Sequence, residues 1–191
     1  MFKDLITSKS RIILLEFFLQ HPHQMFHVRE CVRQTGDEIN AVRRELQFLE
    51  KHRVLTKEPR ANRIYYQLDP NYLFYFDLLA MGAKTVGLGK EIYENKAKLG
   101  KIKYAMFSGR FVRRDEMSPD KVDFLMVGTI VLPELALLVR AEETRLEREI
   151  NYTAMTEEEF TFRKQRKDPF ITGILAGSRV MLLGDEEAML A

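Results

Sequence analysis

Several groups of side chains in this 191-residue chain have types and spacings suited to chemistry. Asn40, Arg43, Arg44 and Gln47 recur at steps of three and four residues, which puts them on one face of a helix. Amides and guanidiniums so placed reach base edges and phosphates when a helix lies in a major groove. Lys57, Arg60 and Arg63 follow, cations suited to backbone phosphates. Farther on, Arg110, Arg113, Arg114 and Lys121 precede Asp123 in sequence, and such cations can hold a nucleotide phosphate without a metal ion. Cys31 with His21, His23 and His27 invites a metal reading. However, His21 and His23 flank Pro22 in a turn, no second cysteine exists, and the spacing fits no zinc pattern, so no metal site is expected. Gly87-Leu88-Gly89-Lys90 lacks the preceding strand and the full spacing of a phosphate-binding loop. No nucleophile-elbow motif supports a hydrolase.

These residues need elements to position them. Residues 10–20 read as a helix with a broad apolar face, opened by Ser10 and closed near Pro22. Met25-Phe26-His27 is a short extended piece, and a second helix covers 28–34 before Thr35-Gly36 stops it. Asp37 is suited to cap a third helix over 38–52, whose Ile39, Val42, Leu46 and Leu49 form one buried stripe. Its other face presents Asn40, Arg43, Arg44 and Gln47, with Glu38 and Glu45 expected near the same surface, where they would repel phosphates. Residues 54–59 and 63–68 are strand-like around a polar tip at Arg60-Ala61-Asn62, a hairpin.

Three helices followed by a basic-tipped hairpin resembles the winged helix-turn-helix regulators over about residues 8–69. The resemblance implies that the third helix reads DNA, that the hairpin touches its backbone, and that the protein is a homodimer on a twofold site.

Beyond Asp69-Pro70-Asn71 the pattern changes. Residues 72–99 read mostly helical, with Tyr72, Phe74, Tyr75 and Phe76 crowded at the start and Gly82, Gly87 and Gly89 allowing a break. Two buried-type strands follow at 103–107 and 122–128, joined through Ser108-Gly109-Arg110. A helix is expected over 135–147, packed on the sheet. A capped helix starts at Thr156 with Glu159 reaching back, a short helix runs from Asp168-Pro169 to Gly177, and a last strand covers 179–184.

This second half resembles the minimal nucleotidyltransferases of the DNA polymerase β type. Gly109 matches the glycine of their Gly-Ser turn, Arg113 the helix arginine and Asp123 the second metal-binding aspartate. The resemblance implies two divalent ions held by carboxylates. Three positions depart from it: Lys121 stands for the first aspartate, Arg110 for the turn serine and Asn151 for the third carboxylate. Asp120 is one residue out of phase, and a lone Asp123 makes no two-metal site. The half is therefore expected to be catalytically silent, with no catalytic residue, no metal and no cofactor. Gly109, Arg110, Arg113, Lys121 and Asp123 remain as a possible ligand cleft for a nucleotide.

Composition sets the outer bounds. With 46% hydrophobic residues the chain is long enough for one large or two small folded domains and is not disordered. It has no apolar run long enough to span a membrane, and the opening Met1-Phe2-Lys3-Asp4 lacks a signal-peptide core. A single cysteine fits a reducing cytoplasm. The 30 basic and 28 acidic residues nearly cancel at +2, but residues 1–69 carry 12 against 9 (+3) and residues 70–191 carry 18 against 19 (−1). The expectation is an α+β protein: a winged helix-turn-helix domain (1–69), a helical linker (70–100) and a nucleotidyltransferase-like α/β domain with a small mixed sheet (101–191). It would be a cytoplasmic DNA-binding regulator that partners double-stranded DNA. The alternatives are an active nucleotidyltransferase and an antitoxin-like protein-interaction module.

Overall fold

Ser8 opens the first helix, two residues ahead of the expected Ser10. In the computed structural model, which describes residues 6–191, the Ser8 hydroxyl accepts the Arg11 amide and α1 runs Lys9–Gln20. The signal-peptide reading of Met1–Asp4 lies outside the described residues. Six of the twelve α1 side chains are buried, from Ile12 to Leu19, so this helix is the hub of its unit. Ser10 instead donates its hydroxyl to Asp37, which takes Asp37 away from the capping role foreseen for it.

After a short strand β1 (Phe26–His27), α2 (Val28–Thr35) begins with a reciprocal cap. Glu30 N donates to His27 Nδ1 at 3.1 Å while His27 N donates to the Glu30 carboxylate at 2.8 Å. Gly36, left-handed at φ 71°, stops the helix where Thr35-Gly36 was expected to do so. Helix α3 (Ile39–Lys51) is capped by Glu38, whose carboxylate accepts from Asn40 N and Ala41 N. Val42, Leu46 and Leu49 are buried, and Ile39 is half-buried.

The hairpin pairs β2 (Leu55–Arg60) with β3 (Arg63–Leu68) from Leu55↔Leu68 to Arg60↔Arg63, so Arg60 lies in the ladder and the tip is only Ala61-Asn62. β1 adds antiparallel to β3, giving the order β1-β3-β2. Phe26 packs its ring 4.3 Å from Phe17, which ties this sheet to α1. Helix α4 (Tyr75–Thr85) returns to α1, with Gly82 against Leu19. The chain divides here into two compact units, Met1–Thr85 and Val86–Ala191. The segment expected as a separate linker is thus shared, since α4 belongs to the first unit and α5 (Gly87–Glu94) to the second.

The second unit is built on a mixed four-stranded sheet, order β6-β5-β4-β7. β4 (Gly100–Ser108) is antiparallel to β5 (Phe124–Ile130) and to β7 (Arg179–Leu183), while β6 (Tyr152–Met155) runs parallel to β5. One helical turn, α6 (Gly109–Arg113), leaves the end of β4, and α7 (Leu132–Leu146) connects β5 to β6. Helices α8 (Glu157–Gln165), α9 (Pro169–Ala176) and α10 (Glu186–Leu190) complete the unit; α10 had no counterpart in the sequence reading. Tyr104, Met106, Leu125, Val127, Met155, Phe160, Ile171 and Met189 form its apolar core, with alternate strand residues pointing into it. Thr156 caps α8 as expected, but Glu159 bonds Arg163 at 2.9 Å rather than closing a capping box. In all, the described residues form ten helices and two small sheets, an α+β protein, and no helix is long and apolar enough to cross a membrane.

One glycine is fixed by geometry. The β4–β5 ladder shifts register between Ile102 and Tyr104, and Gly128 sits opposite at φ 147°, where an added Cβ would lie 2.1 Å from the Lys101 carbonyl oxygen. Gly128→Ala is expected to destabilise the protein by at least about 2 kcal/mol. The check is the urea midpoint of the full chain, and an unchanged midpoint would show that the strand accommodates the methyl group.

Candidate functional site

Two groups of side chains compete for a functional role, one in each unit. On α3, Asn40, Arg43, Arg44 and Gln47 are all exposed on the face away from Val42, Leu46 and Leu49. Among the described residues, Arg43 and Arg44 make no hydrogen bond and no ion pair.

The acids of this helix are otherwise engaged. Glu45 accepts from Ser8 Oγ and Arg11 Nε, each at 2.7 Å, and Arg11 in turn lies 3.6 Å over the Phe48 ring. Glu45 therefore faces α1 rather than the arginines, contrary to expectation, and Glu38 is committed to the cap. Glu50 takes Lys57 at 2.9 Å.

The hairpin is less freely basic than its composition suggests. Lys57 and Arg60 are held by Glu50 and Glu58, and each cation is pushed up in pKa by that hydrogen bond. These pairs are exposed and salt-screened, so a phosphate can compete for either cation. Arg63 is exposed and makes no ion pair among the described residues.

The histidines and the cysteine have local roles. His27 caps α2, and His21 bonds the Phe17 carbonyl oxygen at 2.8 Å and packs among Phe17 and Phe26. Cys31 is wholly buried, and burial, with the charge of Glu30 adding to it, pushes its thiol up to about 12.

In the second unit, β4 and β5 bring Gly109 and Asp123 to the same end of the sheet, where Ser108 N donates to Asp123 O at 2.8 Å. The turn there is already satisfied. Gly109 N donates to Ser178 O at 2.6 Å, Phe111 N donates to Ser108 Oγ at 3.2 Å, and a Cβ on Gly109 would meet Ser178 Oγ at 2.1 Å. The backbone amides that would grip a phosphate thus have partners, and Ser178 fills the space beside them.

Of the five residues foreseen as a cleft, Gly109, Arg113 and Asp123 lie at this end of the sheet, but the side chains have different partners. Arg113 bonds Asp115 and Ser178, Arg110 donates to Glu116 O at 2.7 Å, and Lys121 is exposed. Asp123 is only 7% exposed and bonds Arg148 Nη2 at 3.3 Å and Asn151 N at 3.2 Å.

Arg148 was missed as a partner of Asp123, for no spacing rule relates residues on different strands and loops. Asn151, read as a lost carboxylate, is a clamp: its side-chain amide donates to Pro119 O at 2.9 Å and Lys121 O at 3.0 Å. A guanidinium therefore lies against Asp123 and neutralises it.

Comparison with known protein families, curated proteins and solved structures found no match. Geometry alone carries the functional reading.

Two outcomes are expected. Asp123→Ala leaves Arg148 without its carboxylate and should cost about 2–4 kcal/mol in chemical denaturation. A carboxylate held in reserve for a ligand would instead leave stability unchanged or raised when removed. For Cys31, the folded pKa lies above the unfolded one, so its contribution is complete below about pH 8.5 and is lost as pH rises toward 12. The unfolding free energy from urea titration should fall across that window, by up to about 1.4 kcal/mol per pH unit, and fall less steeply in Cys31→Ala. Parallel curves for the two proteins would remove the thiol from the account.

Proposed function

We propose that this protein is a DNA-binding transcriptional regulator, with a winged helix-turn-helix in its first unit and a catalytically silent nucleotidyltransferase-like second unit. The observation that carries the reading is the exposed face of α3. Asn40, Arg43, Arg44 and Gln47 are exposed, Glu45 and Glu50 are paired with Arg11 and Lys57, and Glu38 is spent on the cap beside Asn40. An unneutralised pair of guanidiniums beside two amides suits contacts to guanine, adenine and phosphate. Arg63 and the exchangeable Lys57 and Arg60 would then meet the backbone.

Silence of the second unit is supported by Asp123 being bound to Arg148 and by the closed turn at Gly109. A homodimer on a twofold site is part of the proposal. It draws support from the strongly exposed apolar side chains Leu73, Phe74 and Phe76, which self-association would cover.

The test is a gel shift of the full chain on DNA upstream of its own coding region, between about 50 and 200 mM salt. Binding should weaken steeply with salt. The double variant Arg43→Ala, Arg44→Ala should lose at least about 100-fold in affinity while keeping its circular dichroism spectrum, since both side chains are exposed. Unchanged affinity would remove α3 from the interface. Magnesium-dependent nucleotide transfer that disappears in Asp123→Ala would overturn the silent reading.

A further inference from the structure

Arg114 follows α6 at φ 60°, and its guanidinium is the least compensated charge in its neighbourhood. Among the described residues it makes no ion pair and no side-chain hydrogen bond. Its Nη1 is buried without a partner, and its guanidinium carbon lies 5.1 Å from the Phe111 ring centre. Burial pushes Arg114 down to about 10, which still leaves it charged at neutral pH.

The two carboxylates whose charges reach Arg114 are both taken. Glu142 is held by Arg145 through two bonds of 2.6 and 2.8 Å, and Asp123 by Arg148 at 3.3 Å. Both acids already have an arginine partner, which leaves the half-buried Arg114 without one. Arg148 has a spare donor as well: its Nε is buried without a partner, and its guanidinium lies 5.5 Å from the same Phe111 ring. Arg179 also has an unpartnered Nε, but its other nitrogens bond Leu175 O, Gly177 O and Glu186. Arg179 is therefore compensated, and Arg114 is not.

A buried guanidinium nitrogen without a partner is unfavourable until an acceptor completes it. We propose that Arg114 and Arg148 form a metal-free oxyanion site whose ligand is a phosphate group, free or carried by a small molecule. The spare Nη1 of Arg114 and Nε of Arg148 take its oxygens beside Phe111. A phosphate suits the site better than a carboxylate, because its oxygens are numerous enough to serve two guanidiniums. Both nitrogens are sealed from water, so seating the ligand requires a local shift. The 3.3 Å contacts of Arg148 to Asp123 and to Asp115 O are long enough to yield. Arg110, Arg113 and Lys121 take no part. The site does not rest on the DNA-binding proposal and stands or falls separately.

The experiment is thermal melting of the full chain in phosphate- and sulfate-free buffer at constant ionic strength, titrated with inorganic phosphate and, in parallel, with adenosine monophosphate. The wild type should show a saturable rise in Tm of at least about 5 °C at a concentration near 100 times Kd. A lower half-saturation for the nucleotide identifies a phosphorylated small molecule as the source, and a lower one for phosphate identifies the free ion. Arg114→Met should abolish the saturable response, and Arg114→Lys, which keeps the charge but loses the fork, should weaken half-saturation by about tenfold or more. The lysine variant decides the matter where the methionine variant does not fold. No saturable response in the wild type, or an equal response in Arg114→Lys, overturns the site.

Discussion

A charge withdrawn from water needs an opposite charge or a full set of hydrogen bonds beside it, and the second unit is arranged around that requirement. Arg148 is the centre of the arrangement. One nitrogen serves Asp123 at the entrance to β5 and another serves Asp115 O, so a single side chain pins the irregular stretch between α6 and β5 to the segment before β6. Asn151 completes the tether by holding the carbonyls of Pro119 and Lys121, while its backbone N–H also reaches Asp123. These bonds tie the segment before β5 to the segment before β6, and Asp123 is ion-paired with Arg148.

The same requirement shapes the first unit in the opposite sense. There the acids on and beside α3 have partners in Ser8, Arg11, the α3 cap and Lys57, and Arg43 and Arg44 are left in water, where solvation makes an unpaired charge tolerable. The near-zero net charge of the chain hides this sorting. What decides the character of the α3 surface is which charges have partners, and that is a property of the fold.

Much of this was legible in the residues. The 3-4-3 spacing of Ile39, Val42, Leu46 and Leu49 marks the inner face of α3, because burial on a helix follows its period. The hairpin follows from two β-rich runs around a polar tip, and the break before Gly87 from the glycines. What escaped was set by contacts between distant residues. Ser10 and Asp37 both look like caps, yet they bond each other across 27 residues and leave the caps to Ser8 and Glu38. The Arg148–Asp123 pair spans 25 residues with no periodicity to reveal it. The final helix, Glu186–Leu190, is too short for a periodic signal and depends on its Asp185 cap and the burial of Met189.

The Arg11–Glu45 clamp separates two tasks within one helix. Glu45, Val42, Leu46 and Leu49 settle where α3 lies against α1, and the guanidinium sandwiched onto Phe48 locks its flank. The side chains at 40, 43, 44 and 47 contribute nothing to that placement. They can be exchanged for other helix-forming side chains with little effect on the scaffold that presents them, so the outward face is free to diversify while the inward one stays the same. The outward face of α3 is in that sense an interchangeable part, and exchanging it would carry little cost in stability.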